Sequence, residues 1–255
     1  MRGKLRMATM PPLVAATAQT DRVPATPPST QKSQAAVASR ASPRTILSQN
    51  IHRPARGIRT TGEVTPHHLV LTDDAVVSLD PSRHKMNPPL RDRAHQEVLW
   101  WGLDQGVVDV LGSDHAPHTL DEKSGSYPAT PSGMPGVQTL VPVMLDHVAQ
   151  GRLTLERFVD LTSAGPQRIF GIARKGRIAL GYDADFTIVD LKRRETITND
   201  WIATKAGWTP YDGRSVTGWP VGTIVRGIRV MWQGELVNPG QGAPIAFLEA
   251  WQPAG

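Results

Sequence analysis

The chain has 255 residues, enough for one sizeable domain or two small ones, and it contains no cysteine, which excludes disulfides and thiolate metal sites and leaves His, Asp and Glu as metal donors. The net charge of +5 is uneven: residues 1–60 hold ten basic residues against Asp21 alone, while the remainder holds 18 basic and 22 acidic residues. No aromatic residue interleaves with the basic ones, which argues against a base-stacking nucleic-acid platform, and no apolar run approaches the roughly 18 residues of a membrane span.

Residues 1–55 lack Trp, Tyr and Phe and show no apolar periodicity. Such a segment cannot offset its ordering entropy of roughly 1–2 kcal/mol per residue, so we expect a disordered basic leader. A solvated tail, an Arg- and Ser-rich transit peptide and a misassigned start all fit this composition. From Arg56 the texture changes. Gly62 to Thr65 reads as a short extended stretch ending at a Pro-His-His turn. The run RAHQEVLWWGLDQG reads as a helix with Val98, Leu99, Trp101 and Leu103 on its apolar face and Gly106 as its stop. Val107, Val108, Val110 and Leu111 form a short apolar run of the kind found in strands buried on both faces.

A Gly/Pro/Ser loop then leads to a helix with Val137, Leu140, Val141, Met144, Leu145 and Val148 on one side, and another helix starts near Thr154. Alternating strands and helices point to parallel α/β architecture. After Gly171 the pattern becomes short alternating runs, GRIALGYDADFTIVDL and VTGWPVGTIVRGIRVMWQGELV, which read as antiparallel strands.

The sharpest chemical signal is Gly112-Ser113-Asp114-His115-Ala116-Pro117-His118. Asp114 lies just past a buried strand, where parallel α/β folds gather ligands and catalytic groups. Its carboxylate either ligates a metal and takes a proton from bound water, or caps the following turn. Asn87 precedes Pro88-Pro89, which holds it extended; its amide offers both the donor and the acceptor that a cyclic amide requires. His67 and His68 are adjacent, and on an extended chain they point opposite ways, so at most one ligates an ion. The loop from Pro131 to Gly136 has no phosphate-loop lysine; its glycines let backbone N–H groups approach a carboxylate, or it is an ordinary loop.

Together the words EVTPHHL, KMNPPLR, GSDHAPHTLDEK, GMPGVQT, GRIALGYDADFTIVD and TPYDGRSVTGWPVGTIVRG resemble dihydroorotase, of the amidohydrolase superfamily, over roughly residues 56–248. The resemblance implies an α/β fold: the last βα units of a TIM-type barrel over 56–172 and a small C-terminal antiparallel β unit with a tail over 173–255. It implies reversible hydrolysis of dihydroorotate to carbamoyl aspartate in pyrimidine biosynthesis, in the cytoplasm. Asp114 matches the aspartate that ligates metal and acts as general base and acid, and His67 matches a metal ligand. Asn87, His118, Ser132 and Gly133 match substrate-binding positions, and the implied cofactor is zinc.

The resemblance departs at the family's first strand, because no His-x-His pair occurs here. We therefore expect most metal ligands to be missing and the chain to be a truncated fragment, inactive alone. Two alternatives stand beside this. One is a non-catalytic protein that joins an active paralogue or a second copy. The other is an allantoinase- or hydantoinase-type cyclic amidase.

Overall fold

The computed structural model describes residues 61–78 and 80–248; the expected leader over 1–55 lies outside them. The described chain is mixed α/β, with a two-stranded and a four-stranded sheet. Strand β1 (Glu63–Val64) pairs in parallel with β2 (Val110–Leu111). Parallel strands need a crossover, and the chain between them supplies helices α1 (Pro66–Val70), α2 (Asp73–Ser78) and α3 (Arg93–Asp104).

Helix α1 corrects the expectation of an extended Pro-His-His segment. Thr65 caps it, its Oγ1 accepting from the His68 N–H at 3.4 Å, and Pro66 sits where its missing N–H costs nothing. His67 and His68 therefore diverge by about 100° around a helix axis, not across a pleat. In α3 the buried stripe is Gln96, Trp100 and Leu103, at i, i+4 and i+7. Trp101, expected inside, is 46% exposed because it lies one residue off that stripe. Trp100 takes the interior position and donates its Nε1–H to the Leu69 carbonyl at 2.9 Å.

After β2 come α4 (Leu120–Lys123), α5 (Leu140–Ala149) and α6 (Leu155–Val159). Thr154 caps α6, accepting from the Arg157 N–H at 3.1 Å. A π-helical turn over Asp160–Ala164 leads into α7 (Gly165–Phe170), which ends at Gly171 in the left-handed region. The sequence gives α5 one apolar side; the structure buries it on two. Leu140, Met144 and Leu145 join Val64, Leu69, Trp100 and Leu111 in the main core. Val143 faces Ile197, Tyr211, Val216 and Trp219 in another cluster.

The second sheet runs β3 (Phe186–Thr196), β4 (Ser215–Val225), β5 (Ile228–Trp232) and β6 (Glu235–Leu236), antiparallel throughout. Its two-residue hairpins, Arg226-Gly227 and Gln233-Gly234, have positive φ at both positions, as primed turns require. The run Arg177–Gly181, expected as part of a strand, pairs with none among the described residues, and Ile178 and Leu180 stand exposed. Helix α5 lies against β4: a Cβ at Gly218 would come within 2.6 Å of the Leu145 Cβ. The Asp146 carboxylate accepts from the Thr217 N–H at 3.0 Å across the same contact.

His147, on α5, is buried, and neither ring nitrogen has a partner among the described residues. Its ring lies 4.8 Å from that of Trp100. Burial, aided by the Arg214 charge, pushes its pKa down from 6.5 to about 4. The folded state therefore resists a proton that the unfolded chain accepts, so stability is full above pH 6.5 and falls as pH drops toward 4. Urea titrations at stepped pH should show His147→Leu flattening this acid limb, by on the order of 3 kcal/mol at pH 4.

Candidate functional site

The segment Ser132–Val137 contacts His67, His115 and His118 and the backbone of Lys85 and Ser113; no contact to the side chains of Asp114 or Asn87 is seen among the described residues. The Ser132 carbonyl accepts from His118 Nε2 at 3.2 Å, and the Gly133 N–H donates to the Lys85 carbonyl at 2.9 Å. The Met134 carbonyl accepts from the Ala116 N–H at 3.1 Å. The Gly136 N–H donates to His115 Nδ1 at 3.1 Å. Gly136 also packs directly on His67, where an added Cβ would lie 2.8 Å from Nε2 and 2.2 Å from the Ser113 carbonyl.

An apolar floor underlies this arrangement. Met86, Leu90, Met134, Ala206 and Trp208 form one buried cluster. Met86 adjoins Asn87, Met134 adjoins Gly133, and Trp208 donates its Nε1–H to the His118 carbonyl at 2.7 Å. Met86 is thus buried while its neighbour Asn87 is exposed, and Met134 is buried together with its neighbour Gly133. His118, Ser132 and Gly133 are brought into contact this way; Asn87 is exposed, two residues from the shared Lys85 carbonyl. The Gly133 N–H is already donated to that carbonyl.

Asp114 is exposed and has φ of +44°, a left-handed conformation uncommon for a residue with a side chain. Glu63, at the edge of β1, is its electrostatic neighbour: burial, then the Asp114 charge, raises the Glu63 pKa. Glu63 packs on Gly112, where a Cβ would fall 2.5 Å from its Oε1. His115 has its pKa lowered by burial, and its Nδ1 accepts from backbone N–H groups, which leaves the proton on Nε2.

His67 is fully buried; burial, with the neighbouring imidazoles of His68, His115 and His84, holds its pKa down at about 3. Its Nδ1 shares a 2.9 Å hydrogen bond with the Tyr211 hydroxyl, and its Nε2 has no partner among the described residues. His68 is held between the Thr65 hydroxyl at 2.8 Å and the Pro88 carbonyl at 3.0 Å, so it braces the loop of Asn87.

The sequence profile of the amidohydrolase family matches residues 37–230. The chain belongs to that family. The dihydroorotase of Pyrococcus furiosus is 45% identical over 186 residues, which is 72% of this chain and 42% of that protein. The dihydroorotase of Bacillus cytotoxicus is 43% identical over 180 residues, 70% of this chain and 41% of that protein. Among solved structures, an L-hydantoinase (dihydropyrimidinase) from Arthrobacter aurescens matches with TM-score 0.73 and 32% identity, over 78% of this chain and 45% of that one. A D-hydantoinase (dihydropyrimidinase) from Thermus sp. gives 0.72 and 31%, over 76% and 44%. The chain spans less than half the length of the curated relatives it matches.

The metal expected of an amidohydrolase finds one well-shaped donor here, the unpartnered Nε2 of His67. No group of three or more His, Asp or Glu that could hold an ion occurs among the described residues. These residues therefore do not fit a complete zinc centre.

Sequence reasoning missed Glu63, Lys123, Tyr211 and Trp208. Glu63 and Lys123 sit inside quoted motifs, and a charged residue beside a strand or closing a capped turn was the available signal. Tyr211 lies in the word TPYDGRSVTGWPVGTIVRG, but it is 144 positions from His67 and nothing local marks that pairing. Replacing Tyr211 by Phe keeps the stacked ring but removes the hydroxyl, which leaves neither ring nitrogen of the buried His67 with a hydrogen-bond partner among the described residues. Urea unfolding should show this variant less stable by about 1–3 kcal/mol.

Proposed function

We propose that this chain carries the substrate-recognition part of a dihydroorotase-type amidohydrolase. On this reading β1, β2 and their helices are late βα units of a TIM-type barrel, over residues 56–172, followed by a small β unit and tail over 173–255. The observation that supports it is the convergence of the loops of Asn87, His118 and Ser132–Gly133 on one segment over a shared apolar floor.

In this role Asn87 presents its amide to the donor–acceptor edge of the dihydroorotate ring. His118 is oriented by its bond to the Ser132 carbonyl and by Glu122, whose Oε2 lies 3.5 Å from Nδ1. Ser132 and Gly133 lie beside His118, on the same segment. On the same reading Asp114 exchanges a proton with the reacting amide, and Glu63, whose pKa the Asp114 charge helps to raise, is its neighbour. His67 is one donor toward the family's zinc. Water activation needs more donors than the described residues gather, so we propose that the chain binds substrate and product without turning them over alone.

Hydantoinase-type chemistry is the second reading, favoured by the structural neighbours. Identity favours the first, at 43–45% to dihydroorotases against 31–32% to these hydantoinases.

Calorimetric titration with L-dihydroorotate, carbamoyl aspartate and hydantoin tests the proposal. The expected outcome is binding of the first two over hydantoin, weakened roughly ten-fold, about 1.4 kcal/mol, by Asn87→Ala or His118→Ala. Preference for hydantoin would favour the second reading. Hydrolysis of dihydroorotate by the purified chain with added zinc would overturn the claim of inactivity.

A further inference from the structure

Lys123 closes the short helix α4, whose start is fixed by a reciprocal capping box. The Thr119 Oγ1 accepts from the Glu122 N–H at 3.2 Å, and Glu122 Oε2 accepts from the Thr119 N–H at 2.7 Å. From there the Lys123 side chain runs inward and is only 2% exposed. Its Nζ donates to the Lys85 carbonyl at 3.0 Å and the Pro131 carbonyl at 2.9 Å. No carboxylate among the described residues forms an ion pair with it. A buried ammonium held only by carbonyls is costly, and a lysine kept in such a place has a geometric task.

The two carbonyls belong to the two loops that matter. Lys85 precedes Asn87 by two residues, and Pro131 immediately precedes Ser132. The Lys85 carbonyl also accepts from the Gly133 N–H, so one oxygen joins all three segments. Lys85 returns the link, its own Nζ donating to the Pro128 and Thr130 carbonyls at 2.5 Å.

We infer that Lys123 is a positioning residue: its buried ammonium fixes the spacing between the loop bearing Asn87 and the loop bearing Ser132 and Gly133. The inference rests on the proposal that these loops bind dihydroorotate. Burial, then the Lys85 charge, lowers the Lys123 pKa to about 8 against an opposing pull from Asp80, so the side chain is still mostly an ammonium at pH 7. Loss of the ammonium lets the loops part while the main core, on α5 and β2, stays intact.

Lys123→Met keeps length and removes the charge. Because the chain has no cysteine, Lys123→Cys can be alkylated selectively with 2-bromoethylamine in denaturant and refolded, which restores an ammonium at nearly the same reach. Two readouts follow: the affinity for L-dihydroorotate, and hydrogen exchange at the Gly133 amide against that at Leu145. Lys123→Met should weaken binding at least ten-fold and deprotect Gly133 while Leu145 stays protected, and the alkylated variant should recover both.

Wild-type affinity and unchanged Gly133 protection in Lys123→Met would overturn the inference, as would failure of the restored ammonium to rescue. If the unmutated chain does not bind dihydroorotate, the proposed function falls, and Gly133 exchange alone decides the link between the loops. Should Lys123→Met not fold, the unmutated chain with 15N-labelled lysine decides: its Lys123 ammonium signal should move when L-dihydroorotate is added. A signal that stays fixed while ligand binds would overturn the inference.

Discussion

Position 136 has no room for a side chain, and the rest of the site is arranged around that fact. On one side lies the Ser113 carbonyl, at the tip of the β2 segment; on the other lies the ring of His67, at the start of α1. Only glycine lets the backbone pass between them, and in passing it gives its N–H to His115. The segment on either side is then committed. Upstream, Met134 enters the apolar floor and Ser132 meets His118; downstream, Thr139 and Leu140 begin α5. One close backbone approach thus sets both the floor of the candidate site and the entry of the most buried helix.

Helix α5 shows where the sequence pattern was readable and where it stopped. Leu140, Met144 and Leu145 are spaced as a helix face and lie in the core as expected. Val143 and Asp146 are buried as well, because β4 covers another flank, and β4 lies some seventy residues downstream; His147 is buried on the core side, against Trp100. Local periodicity reports one partner and is silent about a second brought by tertiary contact. The same limit explains Trp100 and Trp101: two adjacent indoles look alike in sequence, and only the stripe through Gln96 and Leu103 chooses between them. The hairpins of the second sheet were more legible because alternation and the Gly227 and Gly234 turns carry their information locally.

The candidate site divides in the same way. Asn87 was singled out by its own amide before a Pro-Pro pair, and His118, Ser132 and Gly133 by the family resemblance of the compact words that hold them; the structure brings the last three into contact. The Pro-His-His word was misjudged in geometry, since Thr65 and Pro66 start a helix there. The residues that hold the site in shape were not legible. Tyr211 reaches His67 from the far end of the chain, and Trp208 reaches the His118 carbonyl from beside it. Such supports are chosen by packing, and sequence spacing carries no trace of them.

The backbone at Asp114 bears on how its role can be separated from its shape. With φ at +44°, the residue sits where asparagine and aspartate are the side chains most at ease, since their short polar groups tolerate the left-handed region. Replacing the carboxylate by its amide would leave the turn nearly undisturbed while removing the charge that faces Glu63. A branched or bulky side chain would distort the turn before any question of charge arose. The fold has thus set, at one torsion angle, which neighbours in chemical space this strand tip can visit without losing its shape.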